Sequence, residues 1–328
     1  MNASELPSKV PPLRPGIRNM TPASLVPITC VDAFISRRGD GYAGTVVRGV
    51  DLADLDLSGY DLSGVKFEAV DLSGANLSRC VLRSAVIVDS ELRGVVLAGA
   101  DLEGANLRGS RLMTKDVAGA NLTRAVVVQG NLTSADLRQT RVKGARFERC
   151  LFSGVQANGV DFGGCVLDDS SFEGANLSQA HFLQVRACQA NFARANLKGA
   201  VLFGVSAPFT RFTNAMLDEA NLDATDLTCA IFVGAVVRNA LIRKARLARS
   251  QWSHANIAGS QFDMSDLSFA DLAHAVADHA SFRSATLDYA CMHRTSVTST
   301  NLSGASQHGL RKTDRDRAKA ENFKARGR

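Results

Sequence analysis

The chain has 328 residues, of which 45% are hydrophobic and only 6% aromatic, and its formal net charge is +6 at pH 7. No apolar run approaches the roughly 18 residues that a membrane span needs. Seven cysteines without a CxxC pair or a histidine at zinc spacing argue against a disulfide framework and a zinc site.

Residues 1–39 are predicted to form a flexible arm followed by a cap. Six of the seven prolines lie between residues 7 and 27, and the segment lacks the apolar core of a secretory signal peptide. Residues 23–39, "ASLVPITCVDAFISRRG", contain enough apolar side chains to cover the start of the region that follows.

A repeat of five residues occupies residues 40–305. Every fifth residue from Leu52 to Leu302 is apolar, and a second column of uncharged residues stands two positions earlier, interrupted only by Lys115. A period of five fits neither an amphipathic helix nor an alternating strand. It requires a backbone that turns a corner every five residues, as in a solenoid whose coils share one inner column.

The stretches "ADLEGANLRGS" and "ATDLTCAIF" follow an A(D/N)LxX pattern, so the chain resembles the pentapeptide-repeat proteins over roughly residues 50–305. The resemblance implies an all-β fold, a right-handed quadrilateral parallel β-helix with four repeats in each coil. The repeat region would then make about 12–13 coils and a rod roughly 60 Å long.

The aromatic residues provide an independent test of a coil of about 20 residues. Sorted by steps of that length, one column of large apolar positions runs through six consecutive aromatic residues, Phe152, Phe172, Phe192, Phe212, Phe232 and Trp252. Rings in adjacent coils would stack and add about 0.5–1.5 kcal/mol for each pair.

Two positions depart from the repeat. Lys115 occupies an inward-facing slot, where an unpaired ammonium would be costly, so we expect either a side chain that reaches out to solvent or a bulged coil. On this basis Lys115→Ala should stabilise the rod. Pro208 is the only proline of the rod, and we expect a local bulge or kink there.

Residues 306–328 are predicted to end the chain in a basic helix that acts as a cap. Thr313 is the expected N-cap, with Asp314 and Asp316 in the first turn and basic residues later, which suits the helix dipole.

Charged residues of the rod are clustered, although the rod as a whole is close to neutral. Two basic stretches, 138–149 and 238–249, are candidate partner-binding patches, and acidic stretches occur at 51–61 and 218–226. The candidate residues are Arg138, Arg141, Lys143, Arg146, Arg238, Arg243, Lys244, Arg246 and Arg249.

No constellation predicts an enzyme, a metal site or a cofactor. Cys80, Cys150 and Cys165 fall in inward slots without an activating base. His254, His274 and His293 should lie near one another, but no carboxylate clearly completes a ligand set.

The sequence favours a non-enzymatic scaffold that binds a protein partner along a rigid rod and lies in a bacterial cytoplasm. Some proteins of the family it resembles are effectors of type III secretion systems, and residues 1–22 fit the unfolded start that such systems read. The alternative is a rod that mimics DNA and protects gyrase or another type II topoisomerase. Mimicry needs a strongly negative surface, so the near-neutral rod disfavours it, and nucleic acid is not expected as a partner.

Overall fold

The computed structural model describes residues 27–39 and 41–322, and within them the chain forms a parallel β-solenoid. Residues 20 positions apart pair side by side, from Val46↔Lys66 at one end to Cys291↔Arg311 at the other. The predicted coil of four five-residue repeats is therefore confirmed, and the paired region makes about 13 coils. An arm and a cap were predicted for residues 1–39, and residues 1–26 of this segment lie outside the described residues.

Short strands are concentrated in the first half of the rod. They are β1 (Val46–Arg48), β2 (Lys66–Glu68), β3 (Val86–Val88), β4 (Glu91–Arg93), β5 (Asn106–Leu107), β6 (Arg111–Met113), β7 (Val126–Val128) and β8 (Arg146–Glu148). These strands form two parallel sheets with the orders β1-β2-β3-β5-β7-β8 and β4-β6. Later coils are joined by single bridges with the same register.

A tight turn in nearly every repeat explains the period of five. After the buried Leu52, the chain turns through Ala53 and Asp54, and the backbone N–H of Leu55 donates to the carbonyl of Leu52. The second turn residue has a positive φ, 57° at Asp54, which is the geometry of a type II turn. Because four such corners fit into one coil, the solenoid has four sides.

Large apolar side chains fill the interior as continuous columns. The predicted aromatic column is stacked from Phe152 to Trp252, with ring centroids 3.9 to 5.4 Å apart and nearly parallel planes. The neighbouring column stacks Phe162 on Phe182 at 5.1 Å, and edge-on contacts such as that between Phe162 and Phe172 join the two columns.

Helices lie at both ends of the described chain. Helix α1 (Val31–Ser36) and a short 3₁₀ helix (Arg37–Gly39) precede the first coil, and Phe34 of α1 is fully buried against Tyr42 and Phe67. Helix α2 (Arg315–Glu321) follows the last coil. None of the helices in the described part of the chain is long and apolar enough to cross a membrane.

The N-cap of α2 was predicted one residue too early. Asp314, not Thr313, caps the helix, since its carboxylate accepts the backbone N–H groups of Asp316 and Arg317. The Thr313 hydroxyl instead accepts the N–H of Arg294 in the last complete coil and so ties the start of the helix to the rod.

At Lys115 the coil bulges. Thr114 takes the inward slot, donating a 2.6 Å hydrogen bond to the carbonyl of Val95 and accepting the N–H of Asp116, while Lys115 points outward and is exposed. Met113 pairs with Asn131, 18 residues away instead of 20, so the register slips locally. The expectation that Lys115→Ala stabilises the rod loses its basis, because no ammonium is buried.

The bulge expected at Pro208 is absent. Ser206 pairs regularly with Arg186 and Asp226, and the carbonyl of Pro208 accepts the N–H of Gln189. Pro208 is the first central residue of its turn, a position that proline favours. At the same position in many other repeats, the N–H bonds to an Asp or Asn side chain, either of its own turn, as at Ala53, or of the previous coil, as at Arg238. The residue one coil before Pro208 is Cys188, which offers no such oxygen. A proline there therefore costs no coil-to-coil hydrogen bond.

Candidate partner-binding surface

Neither of the two basic stretches predicted as partner-binding patches is gathered into one compact patch in the structure. Twelve consecutive residues turn through more than half of a coil, so Arg238, Arg243 and Arg249 lie at three different corners. Stretches 138–149 and 238–249 are offset by about five whole coils, and so their equivalent residues share the same corners. Lys143 and Arg243 are one such pair of positions.

Most of the candidate cations have a carboxylate partner. Arg238 contacts Asp218 at 2.8 Å, Arg246 contacts Asp226 at 3.3 Å, and Arg243 forms an ion pair with Asp223. Each of these partners lies one coil earlier, within the acidic stretch 218–226. The acidic and basic stretches that follow one another in the sequence thus lie in adjacent coils, where their charges neutralise each other. Exposed pairs of this kind are worth about 0–1 kcal/mol each.

The earlier basic stretch is neutralised differently. Arg138 contacts Asp136 at 2.7 Å and holds the pKa of that carboxyl at about 2, and Arg146 pairs with Glu148 of the same strand. Lys143 reaches Asp161 in the next coil at 3.2 Å. Within the described residues, Arg141, Lys244 and Arg249 have no carboxylate at ion-pair distance.

One side of the second half of the rod carries large apolar side chains along both of its edges. Its central column runs from Arg186 through Asp226 and Arg246 to Thr286 in continuous register. We name this side the apolar-edged face. Its edges are formed at the flanking turns by Leu183, Phe203 and Met264 on one side and by Phe209, Phe269 and Tyr289 on the other.

Side chains on these edges are about half exposed. Phe203 is 46% exposed, Phe209 58% and Phe269 53%, and the Phe269 and Tyr289 rings stack 5.0 Å apart. Sequence reasoning missed this surface because only the inward columns were sorted by coil. The same sorting applied to turn residues would have placed Phe209, Phe269 and Tyr289 on one line.

Helix α2 is fastened to the rod by Glu321, a residue that sequence reasoning did not place near the histidines. Its Oε2 lies 3.1 Å from Nε2 of His293 and 3.4 Å from Nε2 of His274, and its Oε1 accepts from Nε of Arg317 at 2.8 Å. Arg294 also contacts Oε2 at 3.3 Å. Nothing in the sequence signals this contact, since it depends on how α2 docks.

His274, His293 and Glu321 could hold a metal ion by distance alone, because their ligand atoms lie within 4.8 Å of one another. The hydrogen bonds argue otherwise. Nδ1 of the buried His293 accepts the N–H of Asp314, so the neutral ring carries its hydrogen on Nε2 and donates it to Glu321. Nε2 then has no lone pair for a metal. The cluster is better described as a set of polar contacts that hold α2 against the rod.

The inward cysteines are poor nucleophiles. Burial raises the pKa of Cys80 to about 11 and that of Cys150 and Cys165 to about 12, and each Sγ lies against a backbone carbonyl. A thiol in this state is protonated at neutral pH.

Comparison with known proteins agrees with the geometry. The family model for pentapeptide repeats matches in eight copies, over residues 48–83, 75–113, 131–169, 170–206, 209–243 and 265–304. A comparison with curated protein sequences returned no match.

Among solved structures, full-length QnrB1, a plasmid-mediated fluoroquinolone resistance protein, is 16% identical with a TM-score of 0.43, covering 62% of this chain and 100% of its own. HetL from Nostoc sp. strain PCC 7120, involved in heterocyst differentiation regulation, is 22% identical with a TM-score of 0.26, covering 85% and 95%. On the strength of the repeat model and the 20-residue coil, this chain belongs to the pentapeptide-repeat family.

Proposed function

We propose that the protein is a non-enzymatic scaffold that binds a protein partner along the side of its rod. The observation that carries this proposal is the exposure of Phe203, Phe209 and Phe269 on a rod whose interior is already filled. Aromatic side chains are enriched at protein interfaces relative to the rest of the protein surface.

Two groups of residues that were candidates for chemistry have structural roles, and this favours a binding role. The inward thiols are protonated, and the histidine cluster is occupied with holding α2. Pentapeptide-repeat proteins are generally structural or binding proteins.

Affinity capture tests the proposal directly. The full-length protein is immobilised through a terminal tag and exposed to a lysate of its native cell, with an unrelated repeat protein of similar charge as the control. We expect one protein to be retained in near-stoichiometric amount and to bind again, saturably, after purification. Failure to retain any protein above the control would contradict the proposal.

Protection of a topoisomerase is a separate function, and the surface charge does not favour it. Mimicry of the duplex needs unpaired negative charge, whereas the carboxylates of Asp218, Asp223 and Asp226 are paired with arginines. In a gyrase supercoiling assay, we expect micromolar protein neither to inhibit the enzyme nor to protect it from a fluoroquinolone. Either effect would support the mimic instead.

Export is a further proposal and rests on the polar, proline-containing residues 1–22, which lie outside the described residues. A reporter fused behind residues 1–50 should be secreted by a cell with an active type III system and retained when that system is disabled. Retention in both cells would remove this proposal.

A further inference from the structure

We propose that the apolar-edged face binds an acidic amphipathic helix of the partner protein, an inference that rests on the proposed scaffold function. The face offers four apolar anchors arranged in two pairs. Phe203 and Phe209 lie at the two edges of one coil, and Met264 and Phe269 lie at the two edges of the coil three steps further along. At a coil spacing of about 4.8 Å, the two pairs stand about 14 Å apart.

The width of the face suits a helix. The two edges are separated by the three extended residues of one side, which span about 10 Å. An α-helix with its side chains is about 10–12 Å across, so it can lie lengthwise between the edges. Along such a helix, about 14 Å corresponds to nine or ten residues at 1.5 Å per residue.

Charge between the two apolar pairs determines the expected chemistry of the helix. The coil one step before Met264 carries Arg243, Lys244, Arg246 and Arg249. Arg243 and Arg246 are occupied by Asp223 and Asp226, but Lys244 and Arg249 have no carboxylate partner among the described residues.

Lys244 and Arg249 lie at opposite edges of the face. Lys244 lines a groove of about 410 Å³ whose ends are Phe203 and Met264, and Arg249 lies over the Phe269 ring, 5.9 Å from its centroid. Carboxylates on the bound helix would therefore meet unpaired cations, whereas lysines there would be repelled. The inferred ligand is a helix with apolar side chains nine or ten residues apart and carboxylates between them.

The opposite side of the rod provides matched controls. Met216 and Val276 are exposed there, in a column two repeats away from the centre of the apolar-edged face. Arg194 and Lys198 are exposed cations at the two edges of that side. Substitutions at these residues change hydrophobicity and charge to a similar extent without touching the proposed surface.

Photo-crosslinking identifies the contacted segment. The full-length protein carries a benzophenone amino acid at position 203 or, as the control, at position 216, and is irradiated in native-cell lysate. Mass spectrometry should show that position 203 crosslinks to a helical segment with carboxylates between apolar residues, and that position 216 does not. A segment of another composition, equal crosslinking from both positions, or crosslinking within the same chain would overturn the inference.

Binding measurements then use a synthetic peptide of the crosslinked segment. Relative to wild type, we expect Phe203→Ser/Phe209→Ser and Lys244→Glu/Arg249→Glu each to weaken its affinity at least tenfold. Met216→Ser/Val276→Ser and Arg194→Glu/Lys198→Glu should change it less than twofold. If all four variants weaken binding equally, the proposed binding face is wrong, although the scaffold function still stands. If the wild-type protein captures no protein at all, both the binding face and the scaffold function are contradicted.

Discussion

Thr114 and Lys115 show how one residue changes the local path of the coil. Thr114 is buried with both hydrogen bonds of its hydroxyl made, and Lys115 is exposed. We predict that Thr114→Val lowers the free energy of unfolding by about 1–3 kcal/mol, because the carbonyl of Val95 and the N–H of Asp116 lose their hydrogen-bond partner. Lys115→Ala should stay within about 0.5 kcal/mol of wild type. Denaturant titration measures both, and a larger effect at Lys115 would contradict the bulged coil.

Backbone strain at the corners is a second residue-scale effect. Ala224 is exposed at a turn position with a φ of 56°, where an L-residue is disfavoured, whereas the half-buried Ala248 lies outside the left-handed region. We predict that Ala224→Gly raises the free energy of unfolding by about 0.5–1 kcal/mol, since glycine relieves this strain. Ala248→Gly should lower it by about 0.4–1 kcal/mol. If both changes destabilise equally in thermal melts, strain at Ala224 is not significant.

At the scale of elements, docking of α2 depends on one carboxylate. The hydrogen bond from His293, together with Arg317 and Arg294, holds the pKa of Glu321 at about 2, below its ordinary value of 4.5. A depressed pKa stabilises docking above pH 4.5 and loses this contribution as the pH falls towards 2. We therefore predict that α2 detaches over this range while the rod persists.

Hydrogen exchange of the α2 amides measures this release. Glu321→Gln should raise their exchange at pH 7, whereas Asp316→Asn should raise it much less, because Asp316 is 94% exposed, pairs only with Lys319 and otherwise interacts only with the helix dipole. Unchanged exchange in Glu321→Gln would show that α2 is held by other contacts.

At the scale of the whole molecule, stability depends on continuous inner columns, because each coil contacts only its neighbours. Phe192 is buried between Phe172 and Phe212, at 5.1 and 5.4 Å. We predict that Phe192→Ala lowers the free energy of unfolding by about 3–5 kcal/mol, as expected for a cavity left by a ring. The exposed Phe209→Ala should have little effect on unfolding. Similar destabilisation by both in denaturant titrations would contradict the assignment of Phe209 to a binding edge.

The sequence by itself determined the repeat, the coil length and the content of the core, since a buried side chain must recur wherever the backbone returns to the interior. The column from Phe152 to Trp252 follows from numbering alone. Pro208 was misjudged because the effect of a proline depends on which N–H groups the coil uses.

Only the tertiary structure decided the arrangement of residues on the surface. Stacking of the coils brings residues 20 positions apart into contact. As a result, cations of the basic stretch 238–249 form ion pairs with carboxylates of 218–226. Stacking also aligns Phe209, Phe269 and Tyr289 on one edge of the rod. Outward residues have no packing constraint that fixes their type, so their meaning depends on which neighbours the fold places beside them.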